Sequence, residues 1–82
     1  MQFVATEEFK EVSLEEGLKA LQENEISRLY SDGLDSDEYI YFDESKGFCY
    51  EDGCVIGSTY KRALKTLISL KWCLSHKFYA KY

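Results

Sequence analysis

The 82-residue chain has no proline, a single histidine, a single tryptophan and no acidic residue after Asp52. Without proline there are no fixed-φ breaks, and proline-rich recognition segments are excluded. One histidine, His76, leaves little material for imidazole-based metal sites or acid–base pairs. Glycine is scarce and scattered, five in all, so no phosphate-cradling loop is spelled out. Three cysteines are an odd number, which argues against a secreted disulfide framework. No apolar run approaches the ~18–20 residues needed to cross a bilayer. The opening Met1-Gln2-Phe3-Val4-Ala5-Thr6-Glu7-Glu8 has neither the basic nor the apolar region of a signal peptide. The expectation is a soluble cytoplasmic protein.

Charge is the feature that points outward. Residues 1–57 carry fifteen acidic and four basic side chains, a net −11, whereas residues 58–82 carry six basic and none acidic, a net +6. Such a field acts on partners and association rates far more than on fold. The apolar fraction of 45% is that of a globular chain, and the length is that of one domain, residues 1–82.

Local signals define the elements. Phe3–Thr6 reads as a short opening strand. Ser13-Leu14-Glu15-Glu16 is a capping box, and Leu14, Leu18 and Leu21 continue at helical spacing, predicting a helix over about 14–23 stopped by Asn24. Gly17 inside it costs roughly 1 kcal/mol relative to alanine, which points to close packing there. Residues 25–30 alternate loosely, and Ser31-Asp32-Gly33 breaks them. Tyr39–Phe42, Phe48–Glu51 and Cys54–Gly57 form a predicted antiparallel meander over about 39–57, with Asp52-Gly53 as a two-residue type I′ turn. Tyr60, Ala63, Leu64, Leu67 and Ile68 give a helix over about 59–69 starting at Ser58 or Thr59, with Lys61, Arg62 and Lys65 on its polar side. Trp72, Leu74, His76 and Phe78 then alternate with polar residues, predicting a terminal strand over about 71–79; a helix running on to about Ser75 is the rival reading. The fold class is α+β, an antiparallel sheet of four to five strands with two helices on one face.

Cys49, Cys54, Cys73 and His76 could be written as a three-thiolate, one-imidazole zinc set. The type I′ register would put Cys49 opposite Ile56 and on the same face as Cys54. Cys73 and His76, however, point to opposite faces of a strand, so no metal and no cofactor is assigned. His76 reads as a packed core or boundary residue. Ser75 beside it is no nucleophile–base pair, because strand neighbours diverge. No catalytic residue is assigned, and an enzyme is not expected. The basic end interleaves lysines with Tyr60, Trp72, Phe78, Tyr79 and Tyr82, as a nucleic-acid surface would. The preferred reading of Lys61, Arg62 and Lys65 is the solvated side of an amphipathic helix, with the −11 body repelling phosphates.

The acidic, aromatic middle remains. Strand alternation places Tyr39, Tyr41 and Asp43 on one face and Ile40, Phe42 and Glu44 on the other. With Ile40 and Phe42 inward, two tyrosines stand outward among carboxylates, a composition suited to protein interfaces and to basic partners. The candidate partner-binding residues are Asp35, Asp37, Glu38, Tyr39, Tyr41, Asp43, Glu44, Glu51 and Asp52. The alternative is a sheet face made soluble by charge, its tyrosines packed on the next strand.

Phe9 to Leu21, with its Ser13-Leu14-Glu15-Glu16-Gly17-Leu18-Lys19-Ala20-Leu21 helix, resembles the opening of small accessory proteins of Gram-positive phages and prophages. Tyr39-Ile40-Tyr41-Phe42-Asp43 and Trp72 are similar to the β-rich body that follows in that group, although Gly17 stands where alanine is usual. The resemblance implies stoichiometric binding, as in inhibitors of anti-phage defences, CRISPR nucleases among them, or in proteins that sequester nucleotide signals. The acidic, tyrosine-bearing surface then points to a basic, nucleic-acid-handling protein as partner, and no membrane is expected. Three other readings stand beside it: a nucleotide-signal binder, a single-strand binder through the basic end, and a homodimer in which the +6 end meets another copy's −11 end.

Overall fold

The computed structural model describes residues 9–35, 37–70 and 76–81. The predicted strand at Phe3–Thr6, Trp72, Cys73 and most of the predicted terminal strand fall outside them.

Helix α1, Leu14–Gln22, begins as its sequence dictates. The Ser13 hydroxyl accepts from the Glu16 backbone N–H, and the Glu16 carboxylate accepts from the Ser13 N–H, both at 3.1 Å. The helix stops at Asn24, which sits at φ 60°. There Asn24 N–H donates to Leu21 O and Glu25 N–H to Ala20 O, a Schellman closure. Because Glu25 and Ile26 still bond back to Ala20, the following strand cannot start at residue 25. It starts three residues later, as β2, Arg28–Ser31.

Strands β3 (Ile40–Asp43), β4 (Gly47–Tyr50) and β5 (Val55–Gly57) form the expected meander. Its second turn differs from the type I′ expectation. Gly53 N–H donates to Tyr50 O at 2.8 Å, and Tyr50 N–H donates to Cys54 O at 2.9 Å. Gly53 alone takes the positive φ, 90°, so Glu51 and Asp52 occupy the turn and Gly53 forms a bulge beside it. The register shifts accordingly: Cys49 faces Val55 rather than Ile56.

Helix α2, Tyr60–Ser69, is capped by Thr59, whose side chain accepts from the Arg62 N–H. It ends at Ser69 with Leu70 as C-cap; the stretch on to Ser75, where the rival helical reading falls, lies outside the described residues. The described terminal strand is β6, Phe78–Lys81, shorter and later than the alternation predicted. His76 precedes it in an exposed bend instead of packing in the core.

With β1, Phe9–Val12, the described residues form a sheet of six antiparallel strands in the order β1-β6-β2-β3-β4-β5, at least one more than expected. β1 escaped the sequence reading because it is a half-exposed edge whose FKEV pattern does not alternate. β6 inserts between β1 and β2, pairing Val12 and Ser31 on either side of Phe78. Both helices cover one face. Leu18, Leu21, Ala63 and Leu67 close over Leu29, Ile40, Phe48, Phe78 and Ala80 in a single core. Gly17 is where α1 meets the sheet: a Cβ there would lie 2.6 Å from Leu29 Cδ1. Lys19 bridges the helices, its ammonium 5.6 Å from the Tyr60 ring centre.

Candidate interaction face

The face of the sheet opposite α1 and α2 collects what the alternation turns away from the core. Phe9 on β1, Tyr30 on β2, Tyr39 just before β3 and Tyr41 on β3 form a continuous row that reaches over β6, which lies between β1 and β2; Tyr30 is buried within it. Phe9 meets Tyr30 edge-on at 5.2 Å between ring centres, Tyr30 meets Tyr39 at 5.7 Å, and Tyr39 meets Tyr41 at 6.2 Å. Such spacings are those of mutually attractive aromatic pairs. Two cations lie along the row, one at its middle and one at Phe9. The Arg28 guanidinium sits 4.4 Å from the Tyr39 ring centre, and its Nη1 donates to the Tyr30 hydroxyl at 3.3 Å. That hydrogen bond, then the charge of both phenols, raises the Arg28 pKa further. Lys81 lies 5.8 Å from the Phe9 ring centre.

Tyr41 occupies the far end. Register places it opposite Cys49, which in turn faces Val55. Cys49 is fully buried in that floor, while Val55 is 55% exposed. Burial, followed by the neighbouring Cys49 and Asp43, pushes the Tyr41 phenol upward in pKa, so it remains protonated at neutral pH.

The predicted carboxylates divide between the two ends of the sheet. The loop bearing Asp35, Asp37 and Glu38 leads into the start of β3, and the turn bearing Glu51 and Asp52 leaves the end of β4. Ile40 pairs with Tyr50, so these two segments share one end, and Glu51 N–H donates to Tyr39 O at 3.0 Å. Asp43 and Glu44 lie in the β3–β4 turn at the opposite end. The nine predicted residues are therefore two acidic groups with Tyr39 and Tyr41 between them.

Several of these acids have structural work. Asp43 Oδ1 accepts from the Ser45 hydroxyl, the Ser45 N–H and the Lys46 N–H, and these bonds hold its carboxyl below the ordinary range. Asp52 Oδ1 accepts from the Cys54 N–H, which lowers Asp52; the carboxylate in turn raises the Cys54 thiol. Glu38 Oε1 accepts from the Asp35 N–H at 2.9 Å. Asp37 and Glu44 are exposed.

Among the described residues no cluster of three or more His, Cys, Asp or Glu gathers as a metal site, and no helix is long and apolar enough to cross a membrane. With Cys49 opposite Val55, the register that was to set Cys49 and Cys54 diagonally on one face is not formed, and Cys73 lies outside the described residues. His76 Nδ1 meets Asp32 Oδ1 at 3.1 Å, and the same oxygen accepts from the Lys77 N–H at 2.9 Å, fixing the entry of β6. An open cleft of about 410 Å³ beside it is bordered by Glu11, Glu16, His76 and Lys77 and touches none of the nine predicted residues. The predicted basic end is also divided. Lys61, Arg62 and Lys65 are exposed on α2, whereas Lys77 lies 3.8 Å from Glu11 and Lys81 lies on Phe9.

Sequence reasoning missed Phe9, Tyr30 and Arg28. Strand alternation within Arg28-Leu29-Tyr30-Ser31 could have turned Arg28 and Tyr30 outward together. Their meeting with Tyr39 depends on strand pairing, which alternation does not supply. No protein family, curated protein or solved structure matches this chain.

Proposed function

We propose that this chain is a non-enzymatic accessory protein of the phage or prophage type, acting in the bacterial cytoplasm by stoichiometric binding. Its partner is a basic, nucleic-acid-handling host or defence protein, as for an anti-CRISPR-like inhibitor. The observation that carries this reading is the tyrosine row on the sheet face opposite α1 and α2, tied at Tyr39 to the acidic turn at Glu51. Tyrosines of this kind supply contact area, and flanking carboxylates steer a cationic partner and repel phosphate. Asp37 and Glu44 act through charge; Glu38, Asp43, Glu51 and Asp52 also accept hydrogen bonds in the loops that present it.

The test is a triple charge reversal, Asp37→Lys, Glu44→Lys and Glu51→Lys, which spares Glu38, Asp43 and Asp52 and gives up one turn bond, from the Asp52 N–H to Glu51 Oε2. Host extract is passed over wild-type and variant protein, and the captured proteins are identified. A basic protein held by the wild type and lost by a variant of unchanged circular dichroism is expected. Retention at full strength by the variant overturns the reading.

A second reading has the aromatic row stack a nucleotide base, with Arg28 and Lys81 supplying positive charge along it. A thermal-shift screen against nucleotides separates it, since only a bound ligand raises the melting temperature.

A further inference from the structure

The face already contains one cation–aromatic arrangement built from its own residues. Arg28 stacks on Tyr39 at 4.4 Å while hydrogen-bonding the Tyr30 hydroxyl, so a planar guanidinium satisfies both ring face and phenol oxygen at once. The Tyr41 end of the row repeats the acceptor half of this arrangement. Tyr41 is the next ring along, half-buried over the Cys49 floor, with the exposed Val55 beyond. Asp43 follows Tyr41 by two residues on β3 and so shares its face. All three hydrogen bonds to Asp43 fall on Oδ1, and among the described residues Oδ2 accepts none. An aromatic ring with a carboxylate oxygen beside it is complementary to a guanidinium, which can stack on one and donate to the other.

We propose that Tyr41 and Asp43 form a seat for an arginine side chain of the basic protein partner, bordered by Tyr39 and Val55. The inference rests on the docking function proposed above and sharpens it: the face selects arginine over lysine, beyond merely attracting positive charge. Lysine matches the charge but lacks the plane that stacks and donates in parallel. A phosphate-bearing strand fits this end poorly, since Asp43 and Glu44 stand at it.

The experiment compares two probes of equal charge, a nona-arginine and a nona-lysine peptide, titrated into isotopically labelled protein. Affinity and tyrosine ring shifts are both recorded. The arginine peptide is expected to bind severalfold more tightly and to move the Tyr41 ring signals most. Tyr41→Phe should keep that preference, whereas Tyr41→Leu should remove it and leave a residual binding common to both peptides. Asp43→Asn, which retains an oxygen acceptor for the turn, should weaken the arginine peptide more than the lysine peptide. Equal affinity for the two peptides, or a preference that survives Tyr41→Leu, overturns the seat while leaving charge-driven docking intact. Loss of binding in the Asp37, Glu44 and Glu51 reversal, with the arginine preference kept in the wild type, supports both. A thymidine oligonucleotide that shifts the same rings, with neither peptide doing so, overturns both and assigns the face to single-stranded nucleic acid.

Discussion

The hydroxyl of Ser31, fully buried, donates to the carbonyl of Lys77 at 2.8 Å and joins residues 46 positions apart. The same oxygen accepts from the Gly33 N–H at 3.1 Å, so one side chain ends β2 and aligns the start of β6. Ser31→Ala leaves a carbonyl and an N–H without this partner. A loss of about 1–3 kcal/mol is expected. Urea denaturation checks it, and amide exchange near residues 33 and 77 should speed up.

Gly17→Ala sets two effects against each other. Alanine gains about 1 kcal/mol of helix propensity. Its Cβ would lie 2.6 and 2.8 Å from the two methyls of Leu29, a fully buried side chain that would have to shift within a close-packed core. Overpacking of this kind costs about 1–3 kcal/mol, so net destabilisation of about 1 kcal/mol is expected. A melting temperature above that of the wild type would show that α1 shifts freely on the sheet.

Acid sensitivity follows from the turn carboxylates. The Ser45 and Lys46 donors at Asp43 and the Cys54 donor at Asp52 lower both pKa values from the ordinary 3.8, and the Ser13 donors lower Glu16 from 4.5. A pKa depressed in the folded state means that the unfolded chain binds protons more readily. The stabilisation is therefore complete above pH 4.5 and is lost as pH falls through the folded values. Urea midpoints measured between pH 2 and pH 7 should be flat at the upper end and drop below about pH 4. Asp43→Asn and Asp52→Asn together should make that drop shallower.

The two described cysteines should differ in reactivity. Cys49 is buried and Cys54 exposed, with Asp52 holding the Cys54 thiol up in pKa. Since the thiolate is the reactive form, Cys54 should alkylate faster than Cys49 yet slower than an unperturbed thiol. Asp52→Asn should speed Cys54 alkylation by iodoacetamide severalfold at pH 7.5, with Cys49 unchanged, as followed by peptide mass mapping.

Capping provides a local check. Ser13→Ala removes the acceptor for the Glu16 N–H and keeps the backbone N–H that donates to the Glu16 carboxylate, so half of the capping box is lost. A loss of about 1 kcal/mol is expected by chemical denaturation. Ser13→Asp, which keeps an acceptor at the N-cap, should restore most of it.

Both helices, their capping residues and the β3–β4–β5 meander were legible because each is written in contacts within a few residues: Ser13 with Glu16, Thr59 with Arg62, Ile40 and Phe42 alternating with Tyr39 and Tyr41. The second hairpin was legible as a hairpin and misread in register. Asp-Gly permits either a two-residue turn or a bulged one, and the difference moves Cys49 from Ile56 to Val55. The candidate face was half legible: Tyr39 and Tyr41 declared themselves by alternation, while Arg28, Tyr30 and Phe9 did not. Their place in the row depends on which strands pair, which alternation within a strand does not supply.

What the sequence by itself determined is therefore local: where helices start and stop, which strand residues face inward, and a charge division at Asp52. Tertiary structure decided the rest by inserting β6 between β1 and β2, satisfying both neighbours' backbone groups and the Ser31 hydroxyl. That insertion closes the sheet into one surface, so that Phe9, Tyr30 and Tyr39 touch although 30 positions separate the first from the last. It also turns two blocks of charge along the chain into acidic groups at both ends of an aromatic face. Pairing between distant strands is specified by the summed burial and hydrogen bonding of the whole sheet, which no short window of sequence contains.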